Sequence, residues 1–235
     1  METGFSGSAT MEIPTLEIDP GLGPGTVRAA LVWGLELPGC APTAAVPTYI
    51  AELLERVRAA GEGFLDAGRR AAVRGMLRHG RFKPSGRSKP ASEYLLAAAL
   101  GGDFPLVNPP VDANNAVSLQ SGYPASVFDL DLTGHSLRLR RGRARESYVF
   151  NPSGQEIGLE DLLCVCRRQG ELWVPCGNPV KDSMTTKTRE ATRAVVAVVY
   201  APAGESAALL EAAAERFSTL LAAECGAARA GWNIA

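Results

Sequence analysis

The order in which hydrophobic periods follow one another constrains the fold of this chain more than any single motif. Between Tyr49 and Gly80, apolar residues recur at helical spacing, first Ile50, Leu53, Leu54 and Val57, then Ala71, Val73, Met76 and Leu77. The phase breaks around Gly61 and Gly63, which predicts two helices. A strand is expected before them, from Thr26 to Leu37, where β-branched and aromatic residues lie between Gly/Pro-rich flanks. Pro90 followed by ASEYLLAAAL predicts a short helix ending at Gly101-Gly102, and VDANNAVSLQSG a second one stopping at Gly122. Beyond Gly122 the pattern turns to strands: YPASVFDLDL, HSLRLRRGR, a hairpin in ESYVFNPSGQEIGL turning at Pro152-Ser153-Gly154, then LLCVCRR and ELWVPCG joined at Gln169-Gly170. Val195 to Tyr200 is a continuous apolar run of the buried-strand kind, and Ser206 to Gly231 reads as one alanine-rich amphipathic helix.

Helices first, strands in the middle, and a closing strand and helix do not alternate as a doubly wound sheet requires. The expected class is therefore α+β, with mixed or antiparallel sheets flanked by helices. The gaps between elements are short and no repeat recurs, so one domain is expected over residues 13–235, after a small, polar segment 1–12 expected to be disordered.

With 46% hydrophobic residues the chain has enough apolar surface for a full core. No run of about 18 apolar residues occurs and the first residues have neither a basic leader nor an apolar stretch, so a cytoplasmic protein with no membrane contact is expected. The five cysteines form no CxxC pair, which predicts buried thiols and not a disulfide framework or zinc site. GxGxxG after a strand, GxxxxGK[ST], GxSxG and HExxH are all missing, and two histidines, His79 and His135, cannot build a three-histidine metal centre. Neither a metal nor a cofactor is expected.

The net charge of -1 conceals two basic stretches: Arg69 to Lys89 contains no acidic residue, and five arginines fall between Arg138 and Arg145. Local clusters of this kind can bind phosphates whatever the total charge, because counterion release depends on local contacts. They can equally be a solvated helix face and a strand edge. Small polar residues also cluster in segments that otherwise read as buried or as turns. Asn114, Asn115 and Ser118 fall in one predicted helix, Ser126 in the next strand, and Asp182, Ser183, Thr185, Thr186 and Lys187 in NPVKDSMTTKT. Asn114 and Ser118 are four apart and share a helix face. Capping and turn chemistry would use the same residue types.

The segments RSKPASEYLLAAAL, FPLVNPPVDANNAVSLQSGYPASVFDLD, LRLRRGRARESYVFNPSGQEIGLEDLLCV and CGNPVKDSMTTKTREATRAVVAVVY resemble, in order and spacing, the B3/B4 domain, the editing module of the phenylalanyl-tRNA synthetase β subunit. The most specific residues are Val111, Asp112, Asn115, Gly122, Pro124, Phe128 and Asp129, and the resemblance covers roughly residues 81 to 202. It implies a three-layer α+β domain that hydrolyses the ester between a wrong amino acid and the 3′-terminal adenosine of tRNA, here in a chain without a synthetase core. Two positions depart from the pattern. Ser126 stands where that domain has a histidine, and its late-strand acidic residue falls near Val198.

An aminoacyl ester is already activated, so its hydrolysis needs a positioned water and a donor to the oxyanion more than a nucleophilic triad. On this reading Asn114, Asn115 and Ser126 line a pocket and orient water or the ester carbonyl, with Ser118, Ser183 and Thr186 as further substrate contacts. Asp182 accepts a hydrogen bond from the α-amine or the attacking water, and Lys187 or Lys89 holds the terminal phosphate. Arg87, Lys89, Arg138, Arg140, Arg141 and Arg143 are expected to grip the acceptor end of an aminoacyl-tRNA. A pocket of amides and hydroxyls favours a small polar, hydroxylated or non-standard amino acid. Two other readings fit the same residues: a non-catalytic tRNA-binding module, and a protein that binds or hydrolyses a free amino acid derivative.

Overall fold

The computed structural model describes residues 12–235; the expectation of disorder over residues 1–12 falls almost wholly outside them. The apolar run anticipated around Val195 is the middle of β9 (Ala194–Pro202), and all of its residues are buried. It is buried because it is paired on both sides and covered on both faces. Antiparallel partners flank it, β2 (Val27–Leu35) and β3 (Ala125–Asp129), and β10 (Arg229–Ile234) extends the sheet beyond β2.

On one face of this sheet lies α6 (Ala207–Ala223), so close that a Cβ on Gly34 of β2 would sit 3.3 Å from Leu221 and Ala227. On the other face lies a second, mixed sheet, in which β1 (Thr15–Ile18) runs parallel to β4 (Ser136–Arg141), followed by antiparallel β7 (Leu163–Gln169) and β8 (Leu172–Gly177). Phe128 of the first sheet and Leu137, Leu139, Leu163 and Val165 of the second share one apolar core with Val73 and Leu77 of α2 (Ala67–Leu77) and Phe217 of α6. The layers are thus helix, sheet, sheet, with the small hairpin β5 (Ser147–Val149) and β6 (Glu156–Gly158) against the outer face of the second sheet around Cys164 and Cys166. This is the α+β arrangement expected from the order of periods. All five cysteines are free and buried, and no helix among the described residues is long and apolar enough to cross a membrane.

A further helical group, α1 (Thr48–Ala60), α3 (Ala91–Gly101) and α4 (Pro109–Ser121), packs around Ile50, Leu53, Leu95, Leu96 and Leu119. The break at Gly61 and Gly63 separates α1 from α2, as the spacing indicated.

Three local expectations are corrected. β1 precedes the strand taken as first; its short, half-exposed TLEI holds its conformation through pairing with β4, far away in sequence, Thr15 opposite Ser136, which no local pattern announces. The strand after Pro124 ends at Asp129, whose carboxylate accepts from the Asp131 N–H at 3.0 Å and caps a single helical turn, α5 (Leu130–Thr133). The last helix does not reach Gly231: Gly226 takes a φ of 71°, the chain reverses, and Arg229 to Ile234 pair with β2.

Candidate active site

β3 is the edge strand of its sheet, so the groups on its outer side need partners from elsewhere. They find them in α4 and in the loop after β8. α4 begins on Asn108, whose side chain accepts from the Val111 N–H at 3.2 Å, with Pro109 at its first position, and it ends at Gly122 with φ 76°. Buried on several sides at once, it carries polar residues into the interior. Asn114 is one of these: its Nδ2 donates to the Ala125 carbonyl on the free edge of β3 at 3.3 Å and lies 3.4 Å from Asn115 Oδ1. That arrangement commits the oxygen of the Asn115 amide and leaves its nitrogen without a hydrogen bond among the described residues.

The loop after β8 is folded by Asn178. Its Oδ1 accepts from the Val180 and Lys181 N–H groups at 2.8 and 2.9 Å, and its Nδ2 donates to the Tyr148 hydroxyl. This turn brings Asp182 back against β3. Asp182 Oδ1 accepts from Ser126 Oγ at 2.7 Å and from the Asn178 N–H at 3.2 Å, and the Tyr200 hydroxyl donates to Ser126 Oγ at 3.0 Å. Gly177 is required for the close approach, since a Cβ there would run into the Phe128 ring and lie 2.7 Å from Asp182 Oδ1.

Burial pushes the Asp182 carboxyl up to about 7, against the Ser126 hydroxyl, the Asn178 and Val127 backbone N–H groups and the Lys187 charge, all of which favour the ionised form. Burial likewise holds Tyr200 well above its ordinary range, which keeps it a neutral donor. Lys187 donates to the Phe150 carbonyl at 2.8 Å, and burial lowers its pKa while Asp182 opposes the shift.

Between α3, α4, the edge of β3 and this loop lies a cavity of about 270 Å³. Asn114, Asn115, Asp182 and Lys187 all line it, so four of the residues singled out in the sequence, from two distant stretches, meet in one place. Its wall is not mainly polar, as the sequence suggested: Leu95, Pro105, Val107, Val111, Val127 and Val180 make up an apolar side. The sequence reasoning did not assign this side, because an apolar residue carries no chemical signal of its own; of these residues only Val111 was singled out, as part of the family pattern. It also missed Lys181, Thr188 and Tyr94, which contribute to the lining, and Tyr200, hidden inside an apolar run.

Ser126 does not line the cavity; it is fully buried behind Asp182 and touches that carboxylate instead. Ser118 lies deeper along α4, fully buried, with no hydrogen-bond partner for its hydroxyl. Ser183 caps a turn of 3-10 helix by accepting from the Thr185 N–H at 3.2 Å, and Thr186 donates to the Cys176 carbonyl at 3.3 Å. Both hydroxyls are engaged in holding the loop. Neither histidine is part of the lining.

The arginines divide in the same way. Arg140 is buried and makes a two-pronged ion pair with Glu146 at 2.8 and 2.7 Å, adding bonds to the Arg141 and Trp173 carbonyls. Arg141 donates to the carbonyls of Met76, Leu77 and Asp161. Arg138 pairs with Glu17 at 2.8 Å and stacks over Trp173 with 4.5 Å to the ring centroid. Of the arginines expected to grip the acceptor end, these three spend donors within the fold, on Glu17 of β1, on Glu146 and on the carbonyls of Met76, Leu77 and Asp161. Arg87, Lys89 and Arg143 are exposed.

The geometry is that of an α+β domain with an amphiphilic cavity at a sheet edge, where an acidic group and amide donors sit beside hydrocarbon. Residues 86–225 match the model of the B3/4 domain, and the chain belongs to that family. Among solved structures it is similar to an N-terminal fragment of the phenylalanyl-tRNA synthetase β subunit from Pyrococcus horikoshii, with 12% identity and a TM-score of 0.47 over 95% of this chain and 52% of that one. It thus spans about half the length of that fragment. Comparison with curated proteins gives no match.

Proposed function

We propose that this protein hydrolyses, in trans, the ester of mischarged aminoacyl-tRNA bearing a small polar, hydroxylated or non-standard amino acid. The observation that carries the reading is the convergence of Asn114, Asn115, Asp182 and Lys187 on one cavity. Family membership and the resemblance to an editing module supply the substrate class.

In the proposed reaction Asp182, ionised, accepts a proton from a water held in the cavity as that water attacks the ester carbonyl. The free Nδ2 of Asn115 donates to the oxygen on which charge develops, and Asn114 fixes the orientation of that amide. The C–O bond to the ribose breaks and the proton on Asp182 passes to the departing hydroxyl. Ser126 and Tyr200 act behind Asp182 as positioning residues. Lys187 supplies positive charge at the wall, and the exposed Arg87, Lys89 and Arg143 are available to phosphates of the acceptor end. An amphiphilic wall suits a threonine-like side chain, with a methyl group against Val111 or Val127 and a hydroxyl towards the amides.

The test is deacylation of a panel of mischarged tRNAs by the purified protein. Loss of the ester from small hydroxylated or non-standard amino acids is expected, and turnover confined to large apolar side chains would overturn the choice of substrate. One observation favours a second reading, a tRNA-binding module without chemistry: the residue at the family's histidine position, Ser126, is sealed off from the cavity. A gel shift with uncharged tRNA and no ester loss on any substrate would establish that module instead.

A further inference from the structure

The mouth of the cavity has a feature that ester hydrolysis does not use. Ala91, Tyr94 and Leu95 lie three and four residues apart on one face of α3 and line the cavity together. Leu95 is buried, but Tyr94 is 63% exposed, and Val107, which lines the same space, is 48% exposed. Tyr123, Tyr200, Phe128 and Phe217 are buried in the core, so this ring is an aromatic face left open at the lip of the site.

Cations surround the lip. Lys181 lines the cavity with its Nζ 4.0 Å from the Phe150 ring centroid, and Lys187 lies farther in. The exposed Arg87 and Lys89 occupy the turn leading into α3, which is fixed beside the 179–181 loop by the Ala91 N–H donating to the Pro179 carbonyl at 2.9 Å.

From this geometry we infer that Tyr94, with Val107 exposed in the same cavity, is the stacking seat for the base of the 3′-terminal nucleotide of an RNA. The inference rests on the proposed editing reading and names how the same site holds its partner. A planar base presents a π-face to an exposed ring, and the adjacent phosphates need cations within reach. An ester on the ribose of a base seated there is directed into the cavity, towards Asn115 and Asp182. A hydrophobic peptide would use the ring and Val107 but would have no use for four neighbouring cations. Because stacking tolerates any base, Tyr94 confers affinity for a single-stranded terminus and leaves amino acid discrimination to the cavity.

The experiment compares the full chain with Tyr94→Ala and Tyr94→Phe. It measures binding by fluorescence anisotropy to an uncharged RNA minihelix with a single-stranded 3′ end, and to the same RNA shortened to a blunt end. Removing the ring is expected to weaken binding to the complete RNA about 10-fold or more. Tyr94→Phe recovers the affinity, and wild type and Tyr94→Ala become equal on the shortened RNA. In deacylation of an aminoacyl minihelix the loss falls on KM. Equal binding of the complete RNA by wild type and Tyr94→Ala would overturn the assignment, as would a Tyr94→Ala defect just as large on the shortened RNA. Since the uncharged RNA reports binding without chemistry, ester cleavage with no Tyr94 effect defeats this inference alone. Tyr94-dependent binding without cleavage defeats the deacylase alone.

Discussion

Two carboxylates, each drawn into the protein and hydrogen-bonded there, titrate in opposite directions. At the corner where β4 turns back, burial pushes Glu146 up, but the two N–H groups of Arg140, the Arg143 N–H and the charges of both arginines outweigh it, and Glu146 is held below its ordinary value. At the cavity the donors in contact with Asp182 are neutral, a hydroxyl and backbone N–H groups, and Lys187 acts only from a distance, so burial prevails and the carboxyl rises to about 7. Hydrogen bonds from neutral groups satisfy an anion's geometry without replacing its solvation, whereas a guanidinium supplies both. The first corner is a permanent ion pair that fastens a strand. At the second, a carboxylate can hold or release a proton near neutral pH, which is what a general base needs.

The contrast is tested most severely by neutralising the carboxylate at the cavity. Asp182→Asn keeps the shape and an oxygen for Ser126 and the Asn178 N–H but cannot take a proton. Its deacylation rate is expected to fall by roughly 10²–10⁴-fold with the circular dichroism spectrum unchanged. A variant that retained its rate would remove Asp182 from the chemistry. The complementary change, Arg140→Ala, leaves a partly buried carboxylate without its cation. It is expected to reduce stability by about 3 kcal/mol, roughly 6–12 °C in Tm for a domain of this size, while kcat per folded molecule stays at the wild-type level. A selective loss of RNA affinity with undiminished Tm would show that Arg140 faces phosphate after all.

The opposite pKa directions also predict opposite pH dependences of stability. Glu146, held below its unfolded value, stabilises the native state above that value and loses the contribution as the pH falls. Asp182, held above its unfolded value, stabilises the native state at acid pH, and its contribution is lost as the pH rises towards about 7. Thermal melts should therefore show Asp182→Asn gaining on the wild type as the pH is raised from 4 to 7. Glu146→Gln should trail the wild type at neutral pH and close the gap on acidification. Curves that moved in the same direction for both variants would erase the distinction.

The two corners were unequally legible in the sequence. Helices, the hairpin and the buried strand followed from period and turn chemistry, because each is decided by residues within a few positions of one another. β1 and β10 did not, since TLEI and RAGWNI become strands only through pairing with β4 and β2. Composition drew attention to the asparagines, Asp182 and Lys187, yet it gave the same weight to Ser183 and Thr186, whose hydroxyls hold their own loop, and to Arg140 and Arg141, whose donors are taken up inside the fold. Whether a polar group is consumed or left available depends on what the chain brings next to it. Tyr200 shows the converse: in VVAVVY it reads as core, and its ring is core, but its hydroxyl meets Ser126 and through it Asp182.

That last contact gives the finest test, because Ser126 touches Asp182 and not the cavity. Its hydroxyl favours the ionised carboxylate, so Ser126→Ala should move Asp182 further up, and the midpoint of the deacylation pH profile should shift to the alkaline side. A hydrogen bond to a charged group corresponds to about one pKa unit, which takes an acid half-ionised at pH 7 to roughly a tenth ionised, a loss of about five-fold in rate at that pH. The loss should vanish at pH 9, where the carboxyl is ionised in either protein; the loss in Asp182→Asn should persist there. Tyr200→Phe should move the midpoint in the same direction by less, since it only weakens the orientation of the serine hydroxyl. A rate defect in Ser126→Ala that stayed constant across the pH range would mean that the serine acts on substrate directly. The distinction between a group that performs the chemistry and one that sets its proton affinity would then have to be redrawn with Ser126 on the other side.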